Sequence, residues 1–155
     1  MSKLLGEWFV AETPRHYVLR VESLFGGSRA KSSIDWILKG LRAGTAVRAF
    51  VDRAVSPSYV DDVVEATAAL VERHAAFGLY HCVNSGWTNW AELAREAARL
   101  LGRPQAPIEA VKMAEAGLTA RRPQFAALSN ARLLAAGVAM PTWQQALARY
   151  VASVN

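Results

Sequence analysis

Short apolar runs alternate with helical stripes along this sequence, and this alternation is the feature that most constrains the fold. Runs of apolar and β-branched residues at 17–21, 46–51 and 79–83 have the length and composition of strands. Between them lie segments with an apolar residue at every third or fourth position, a period that predicts helices. Strands that alternate with helices favour a parallel or mixed sheet covered by helices. The sequence therefore predicts an α/β fold.

Apolar stripes and capping residues place four predicted helices. The first begins at Ser32 or Ser33 and ends at Gly44. Asn89 and Thr142 begin two others, because each is followed three residues later by a glutamate or glutamine that suits a capping box. The remaining helix carries a stripe formed by Val60, Val63, Val64, Thr67, Ala68 and Val71. A short strand at 108–111 is expected inside the loop-rich stretch 104–123.

The first residues contain the run Ser2-Lys3-Leu4-Leu5-Gly6-Glu7. This run resembles the S-K-x-x-G-E stretch of extended short-chain dehydrogenases, in which a tyrosine lies four residues before the lysine. Residues one helical turn apart share a face, so the ammonium can lower the pKa of the phenol and hold the nicotinamide ribose. The tyrosine would lie two positions upstream of Met1, outside this chain. The alternative is an ordinary amphipathic helix with Lys3 solvated and a core-facing side formed by Leu4, Leu5, Trp8 and Phe9.

Later segments occur in the order of one enzyme family. They are Arg20-Val21-Glu22-Ser23-Leu24-Phe25-Gly26, Asp52-Arg53, Ser56-Pro57-Ser58-Tyr59-Val60-Asp61-Asp62, Gly78-Leu79-Tyr80-His81, Ala91-Glu92-Leu93-Ala94 and Arg122-Pro123. Together they resemble the C-terminal half of dTDP-4-dehydrorhamnose reductase and its relatives among the nucleotide-sugar dehydrogenases and epimerases, over nearly the whole chain. The family reductases resemble R-T-S-W-V-Y-G in the first segment, with a tryptophan where this chain has Ser23. This departure leaves the particular sugar open.

The resemblance implies the C-terminal part of a Rossmann-like extended short-chain dehydrogenase. Residues 1–83 would be the remnant of the Rossmann-like sheet with its helices, and residues 84–155 a small, mainly helical substrate-binding lobe. The N-terminal cofactor-binding half, with its Gly-rich turn, would be absent. Gly26-Gly27 opens no G-x-G-x-x-G pattern and is interpreted as a turn.

The resemblance also implies site residues and an activity. In the intact family, NADP(H) or NAD(H) reduces a 4-keto sugar nucleotide. Lys3 would be catalytic, Lys3, Ser23 and Leu24 would contact the cofactor, and Phe25, Arg53 and Arg122 would bind the substrate. For Arg122, a bidentate diphosphate clamp and a solvated loop charge are equally weighted interpretations.

Three interpretations of the chain's role stay open. A truncated reductase would be inactive alone and would bind no cofactor tightly. A non-catalytic sugar-nucleotide-binding or regulatory module would pair with a separate cofactor-binding chain or form a homo-oligomer. Finally, Met1 would be an internal methionine of a longer reading frame. Whether the chain is an enzyme by itself is therefore left open.

Composition argues against several other classes. The net charge of +5 is scattered, without interleaved stacking aromatics, so nucleic acid is not the expected partner. No apolar run approaches the roughly 20 residues that span a bilayer, and no signal pattern is present, so we expect a cytoplasmic protein without a membrane partner. Cys82 is the sole cysteine, which excludes an intramolecular disulfide. The histidines are dispersed and Asp61-Asp62 suits a helix start, so no metal site is expected.

Overall fold

The computed structural model describes residues 2–28, 30–120 and 122–154 and has the predicted mixture of helices and strands. In this part of the chain the α-helices are α1 (Ser2–Ala11), α2 (Ser33–Ala43), α3 (Val60–Glu72), α4 (Trp90–Leu100), α5 (Ala131–Ala135) and α6 (Trp143–Ser153). The strands are β1 (Tyr17–Arg20), β2 (Leu24–Phe25), β3 (Val47–Phe50), β4 (Ala54–Val55), β5 (Ser58–Tyr59), β6 (Gly78–His81), β7 (Thr88–Asn89) and β8 (Ile108–Val111). A short 3₁₀ helix covers Met113–Ala116.

The strands pair mainly in parallel. β1 pairs with β6, β2 with β5 and β3 with β8, all in parallel, whereas β4 and β7 are antiparallel. Parallel partners need a long crossover connection, and here the crossovers include α2, α3 and α4. This arrangement confirms the predicted parallel or mixed α/β class, including the strand at 108–111.

Helix α2 begins and ends where the sequence predicts. The Ser32 hydroxyl accepts the N–H of Asp35 at 3.2 Å, and the Asp35 carboxylate accepts the N–H of Ser32 at 2.7 Å. Gly44 closes the helix in the left-handed conformation, with φ of 69°. The buried face consists of Ile34, Ile37, Leu38 and Leu41.

The starts of α4 and α6 are also capped. The side chain of Asn89 accepts the N–H of Glu92 at 2.9 Å. At α6 the capping box is reciprocal, because the Gln145 side chain accepts the N–H of Thr142 at 3.0 Å and the Thr142 hydroxyl accepts the N–H of Gln145 at 3.3 Å. At α4 the Glu92 carboxylate instead accepts the hydroxyl of Thr88 at 3.0 Å. The box at α4 is therefore only half formed.

Two clusters of buried side chains form the interior. The larger one joins β2, α2, β3, α4 and α6, and the smaller one lies between β6, α3 and α5. Residues on both sides of position 84 contribute to the larger cluster. The division into units 1–83 and 84–155 stays a prediction.

Helix α3 forms as predicted, but its apolar stripe is not the face that it buries. The residues that this helix buries are Asp62, Ala66 and Leu70, whereas Val64 and Val71 are 61% and 55% exposed. The helix is rotated relative to its apolar stripe because Asp62 has partners in the interior, described below. The hydrogen bonds and ion pair of the buried Asp62 therefore determine which face of α3 is buried, rather than the burial of Val64 and Val71.

Helix α1 forms, but its apolar side chains do not face a core as the alternative interpretation expects. None of its residues is buried against the part of the chain that the structure describes, and Trp8 and Phe9 are 60% and 76% exposed. Glu7 ties the helix to the end of β1, since its carboxylate accepts two hydrogen bonds from the Arg20 guanidinium at 2.9 and 2.7 Å. The contact that holds α1 is thus electrostatic.

The longest α-helix among the described residues is α3, with 13 residues. Within those residues, no helix combines the length and the apolar character needed to cross a bilayer.

Candidate functional site

A groove of about 620 Å³ opens between α2 and β3. Volumes of this size are typical of sites for small organic ligands. Most of its walls are apolar side chains and the backbone of small residues. The lining consists of Ser33, Trp36, Ile37, Lys39, Gly40, Ala43, Thr45, Ala46, Val47, Arg48, Ala49, Phe50, Arg53 and Trp90.

The charges in the groove have one sign. Lys39, Arg48 and Arg53 line it, and the described lining contains no carboxylate. Arg48 also contacts Glu109 at 3.2 Å, in an ion pair whose side chains are 63% and 62% exposed, so that pair contributes little. Apolar walls combined with three cationic side chains suit a ligand that carries both an aromatic ring and phosphate groups.

Arg53, which the resemblance assigns to the substrate, lies in this groove. Its Nε is buried and has no hydrogen-bond partner among the described residues. A buried guanidinium N–H without an acceptor is costly, and an anionic ligand in the groove would supply one.

Glu22 is a site residue that sequence reasoning missed. Its carboxylate accepts the N–H of Ser56 at 2.7 Å and the hydroxyl of Ser23 at 2.6 Å. Burial raises the pKa of Glu22 above its ordinary value, although both hydrogen bonds and the charge of Arg53 act in the opposite direction. A carboxylate between the apolar β1 and β2 segments was the available signal in the sequence.

Ser23 and Leu24 lie beside Glu22 in different environments. The Ser23 hydroxyl is engaged by Glu22, and its backbone has a φ of 44°, a left-handed conformation that is uncommon outside glycine. Leu24 is 43% exposed, and its backbone is in register with Ser58. Leu24 therefore has an accessible side chain, whereas the hydroxyl of Ser23 already has a partner.

Phe25 lies in the interior rather than in the groove. It is 1% exposed, stacks on Tyr59 with the ring centroids 5.4 Å apart, and meets Tyr150 edge-on at the same distance. Next to it, Gly26 has a φ of 90°, and a Cβ there would lie 2.5 Å from the Tyr59 ring. The aromatic side chain fixes the turn that follows Ser23 and Leu24, and in this structure it is not accessible to a ligand.

Arg122 is exposed, and its segment runs beside β4. Ala54, the residue after Arg53, donates its N–H to the carbonyl of Gln124 at 2.7 Å and accepts the N–H of Ala126 at 2.9 Å. These bonds bring the Arg122 segment to the strand that follows Arg53. The neighbouring Arg121 lies outside the described residues.

Lys3 is exposed on α1, which is tied to β1 through Glu7. The Glu22 carboxylate thus accepts a hydrogen bond from Ser23 and feels the charge of Arg53. The Arg122 segment lies beside the strand that follows Arg53, and Lys3 lies on a separate, exposed helix.

Trp36 is a groove residue that sequence reasoning missed. It is 67% exposed, and the Lys39 ammonium lies 5.4 Å from its ring centroid. The signal was its position outside the buried stripe of α2, because a tryptophan on the solvent side of an amphipathic helix is unusual.

Other candidate residues have structural roles. Asp62 is buried and paired, as expected for a structural carboxylate. Cys82 is buried, and burial raises the pKa of its thiol to about 11. The ring of His81 contacts the carbonyl of Ser129 at 3.1 Å. Across the described residues, no three His, Cys, Asp or Glu side chains are grouped so that they could hold a metal ion.

Comparison with known proteins gives one consistent family. The RmlD substrate binding domain family matches residues 1–155. The spore coat polysaccharide biosynthesis protein SpsK of Bacillus subtilis is 29% identical over 150 residues, which cover 97% of this chain and 52% of SpsK. The dTDP-4-dehydrorhamnose reductase of Mycobacterium tuberculosis is 30% identical over 155 residues, 98% of this chain and 51% of that enzyme. The chain spans about half the length of these curated relatives.

Solved structures show the same fold. A dTDP-4-dehydrorhamnose reductase from Clostridium acetobutylicum superposes with a TM-score of 0.90 at 23% identity, over 99% of this chain and 54% of that one. The dTDP-4-dehydrorhamnose reductase from Bacillus anthracis, solved in complex with NADP, gives a TM-score of 0.89 at 25% identity over 98% of this chain and 54% of that one. The predicted correspondence to one half of an extended short-chain dehydrogenase is confirmed at the level of the fold.

Proposed function

Because the chain belongs to the RmlD substrate binding domain family, we propose that the groove between α2 and β3 binds the nucleoside diphosphate part of a sugar nucleotide. The observation that carries this proposal is the pairing of apolar walls with Lys39, Arg48 and Arg53, without a carboxylate in the described lining. The buried Nε of Arg53 provides a donor for a phosphate oxygen.

The proposed reaction is the reduction of a 4-keto sugar nucleotide, in which these 155 residues supply the substrate side and Lys3. The relatives named dTDP-4-dehydrorhamnose reductase support this class of reaction, and one of them was solved with NADP. The reduced cofactor, NADPH, would supply the hydride when bound and would leave as NADP+. The exposed Lys3 and Leu24 are accessible to such a cofactor, whereas the hydroxyl of Ser23 already donates to Glu22.

We expect no reductase turnover from the 155 residues by themselves. They contain no G-x-G-x-x-G motif of the kind that holds the cofactor pyrophosphate. In the proposed arrangement, residues 1–83 carry Lys3 and most of the groove, and residues 84–155 contribute Trp90 to the groove lining. NADPH consumption with a dTDP-4-keto sugar, followed at 340 nm, tests this; turnover by the purified 155-residue chain would refute it.

Binding is tested by titrating the chain with dTDP in a calorimeter. We expect saturable binding, and we expect Arg53→Gln to lower the affinity by about tenfold, because a charge-assisted hydrogen bond contributes about 1.5 kcal/mol or more. Arg99→Gln is the matched control, since Arg99 pairs with Glu96 on an exposed face of α4 and does not line the groove. Absence of dTDP binding at millimolar concentration, or equal losses in both variants, contradicts the proposal.

A second candidate is a non-catalytic sugar-nucleotide-binding module that pairs with another chain or with itself. The exposed apolar side chains of α1 suit a surface that a partner covers, whether that partner is a separate chain or the cofactor-binding half of a reductase. Sedimentation velocity distinguishes the candidates: a defined oligomer at micromolar concentration favours the module, whereas aggregation of increasing size favours a half-enzyme.

A further inference from the structure

We propose that Trp36 determines the preference of the groove for an aromatic base, by stacking its indole on the nucleobase of the bound nucleotide. This inference rests on the function proposed above. Arg53 is proposed to bind a phosphate oxygen, whereas Trp36 on α2 would contact the base. It starts from the position of Trp36, which lines the groove and yet is 67% exposed. A large aromatic surface beside an apolar cavity is available for stacking.

Lys39 restrains the Trp36 ring. The two side chains are three residues apart on α2, so they lie on the same face, and the ammonium is 5.4 Å from the ring centroid. This contact limits the rotation of an otherwise solvated side chain. Lys39 also lines the groove, so the same contact brings a positive charge close to the bound nucleotide.

The first turn of α2 is fixed from two directions. Ser32 and Asp35 form its capping box, and the hydroxyl of Tyr150 on α6 donates a hydrogen bond to the Asp35 carboxylate. Burial and the neighbouring Asp35 raise the pKa of Tyr150 to about 12, so the hydroxyl remains a donor at neutral pH. Trp36 follows Asp35 directly. Its backbone is therefore held before a ligand arrives, which lowers the entropic cost of binding.

The facing wall leaves room for a flat ring. It is formed by β3, where Val47 and Ala49 are buried and Phe50 closes part of the groove. Trp36 presents the largest accessible aromatic surface in the described lining, because Trp90 is only 8% exposed and Phe50 is half-buried. An aromatic base can lie between this ring and the strand.

The experiment compares dTDP with inorganic pyrophosphate on the full chain, by calorimetry and tryptophan fluorescence. Trp36→Leu is expected to lower dTDP affinity about tenfold and to leave pyrophosphate affinity unchanged, because the loss concerns only the base. Trp36→Phe, which keeps an aromatic ring, is expected to retain most of the dTDP affinity. Trp8→Leu is the matched control, since Trp8 is similarly exposed at 60% and does not line the groove.

Each outcome decides between the proposals. If the wild-type chain does not bind dTDP, the proposed function fails and this inference fails with it. If the wild type binds dTDP and Trp36→Leu binds it equally well, or loses dTDP and pyrophosphate in equal measure, the function stands and the role of Trp36 is overturned. Because Trp36 is exposed, we expect Trp36→Leu to unfold at the wild-type temperature, and a matching thermal transition shows that a changed affinity is not a folding defect.

Discussion

Arg149 on α6 lies 2.6 Å from both carboxylate oxygens of Asp62 on α3, and the side chain of Asp62 is 1% exposed. The same carboxylate accepts the side-chain amide of Asn84 at 2.6 Å, and Asn84 in turn accepts the N–H of Tyr59 at 2.8 Å. The Asp62 carboxylate therefore joins α3, α6 and the segment after β6. It also connects these elements to Tyr59, which packs on Phe25 next to the candidate site.

Replacing Arg149 tests the contribution of this ion pair to stability. Arg149→Met keeps the apolar stem but leaves the carboxylate of Asp62 buried without its cation, so we expect the free energy of unfolding to fall by about 2 kcal/mol or more. Arg99→Met is the control, because its pair with Glu96 is on the surface, where such pairs contribute less than about 1 kcal/mol. Urea denaturation of both variants measures the difference, and equal losses would contradict a structural role for the buried pair.

Gly26 and Gly27 form a matched pair for testing the turn beside the site. Both have positive φ, 90° and 79°, so alanine strains the backbone at either position. Only at Gly26 would the new Cβ meet the Tyr59 ring, at 2.5 Å, whereas nothing lies within 4 Å at Gly27. We expect Gly27→Ala to cost about 1 kcal/mol and Gly26→Ala to cost about 1–3 kcal/mol more.

Thermal and urea denaturation of the two glycine variants give the comparison. A similar loss of stability in both would show that Tyr59 moves away without cost, and the turn would then not be fixed by the aromatic cluster.

The thiol of Cys82 is expected to be inert in the folded protein. Burial raises its pKa to about 11, so at neutral pH almost none of it is the reactive thiolate, and the sulfur is also inaccessible. Because the chain has a single cysteine, alkylation by iodoacetamide reports on this site alone. We expect negligible modification at about pH 7.5 and full modification in 8 M urea; fast labelling without urea would indicate that β6 opens.

The raised pKa of Glu22 predicts that the stability of the protein depends on pH. Burial raises its folded-state pKa above the ordinary value of 4.5, so the folded protein binds this proton more tightly than the unfolded chain. The resulting stabilisation is present at acidic pH and is lost as the pH rises through the raised folded-state pKa. Glu22→Gln removes the titration while it keeps an oxygen acceptor for Ser56. The melting temperature of the wild type, relative to this variant, should therefore fall as the pH rises above the ordinary carboxyl pKa of about 4.5.

Glu96→Gln is the control, because the pKa of Glu96 is shifted in the opposite direction to that of Glu22. Hydrogen bonding to Arg99 lowers the pKa of Glu96, so its stabilisation is present above the ordinary value and is lost on acidification. If the melting temperature of the wild type, measured relative to each variant, changes in the same direction with pH for Glu22→Gln and Glu96→Gln, the pKa of Glu22 is not raised in the folded protein.

Elements specified by neighbouring residues could be predicted from the sequence. α2 and α6 have their caps and apolar stripes within their own residues, and Trp143, Ala146, Leu147, Tyr150 and Val151 are buried as the stripe of α6 indicates. The orientation of α3 could not be predicted, because Asp62 is turned inward by Arg149, 87 residues away in the sequence. Local periodicity contains no information about such a partner.

Residues of the candidate site also divide into those that the sequence could predict and those that it could not. The resemblance identified Arg53 and the segment around Ser23, because those residues lie within recognisable motifs. It did not identify Glu22, which differs from the residue of the family motif at that position, or Trp36, which lies outside the motifs. Their environments depend on Ser56 and on the groove beside β3, and only the folded chain shows them.

The exposure of α1 also affects its own persistence. A 10-residue helix without buried side chains is marginal in water, and salt screens the contact between Glu7 and Arg20. The helical content of this segment should therefore change with ionic strength and with whatever covers Trp8 and Phe9. Slow exchange of its amide hydrogens would show that a partner covers the helix. Hydrogen exchange in α1 therefore reports whether the chain is assembled with such a partner.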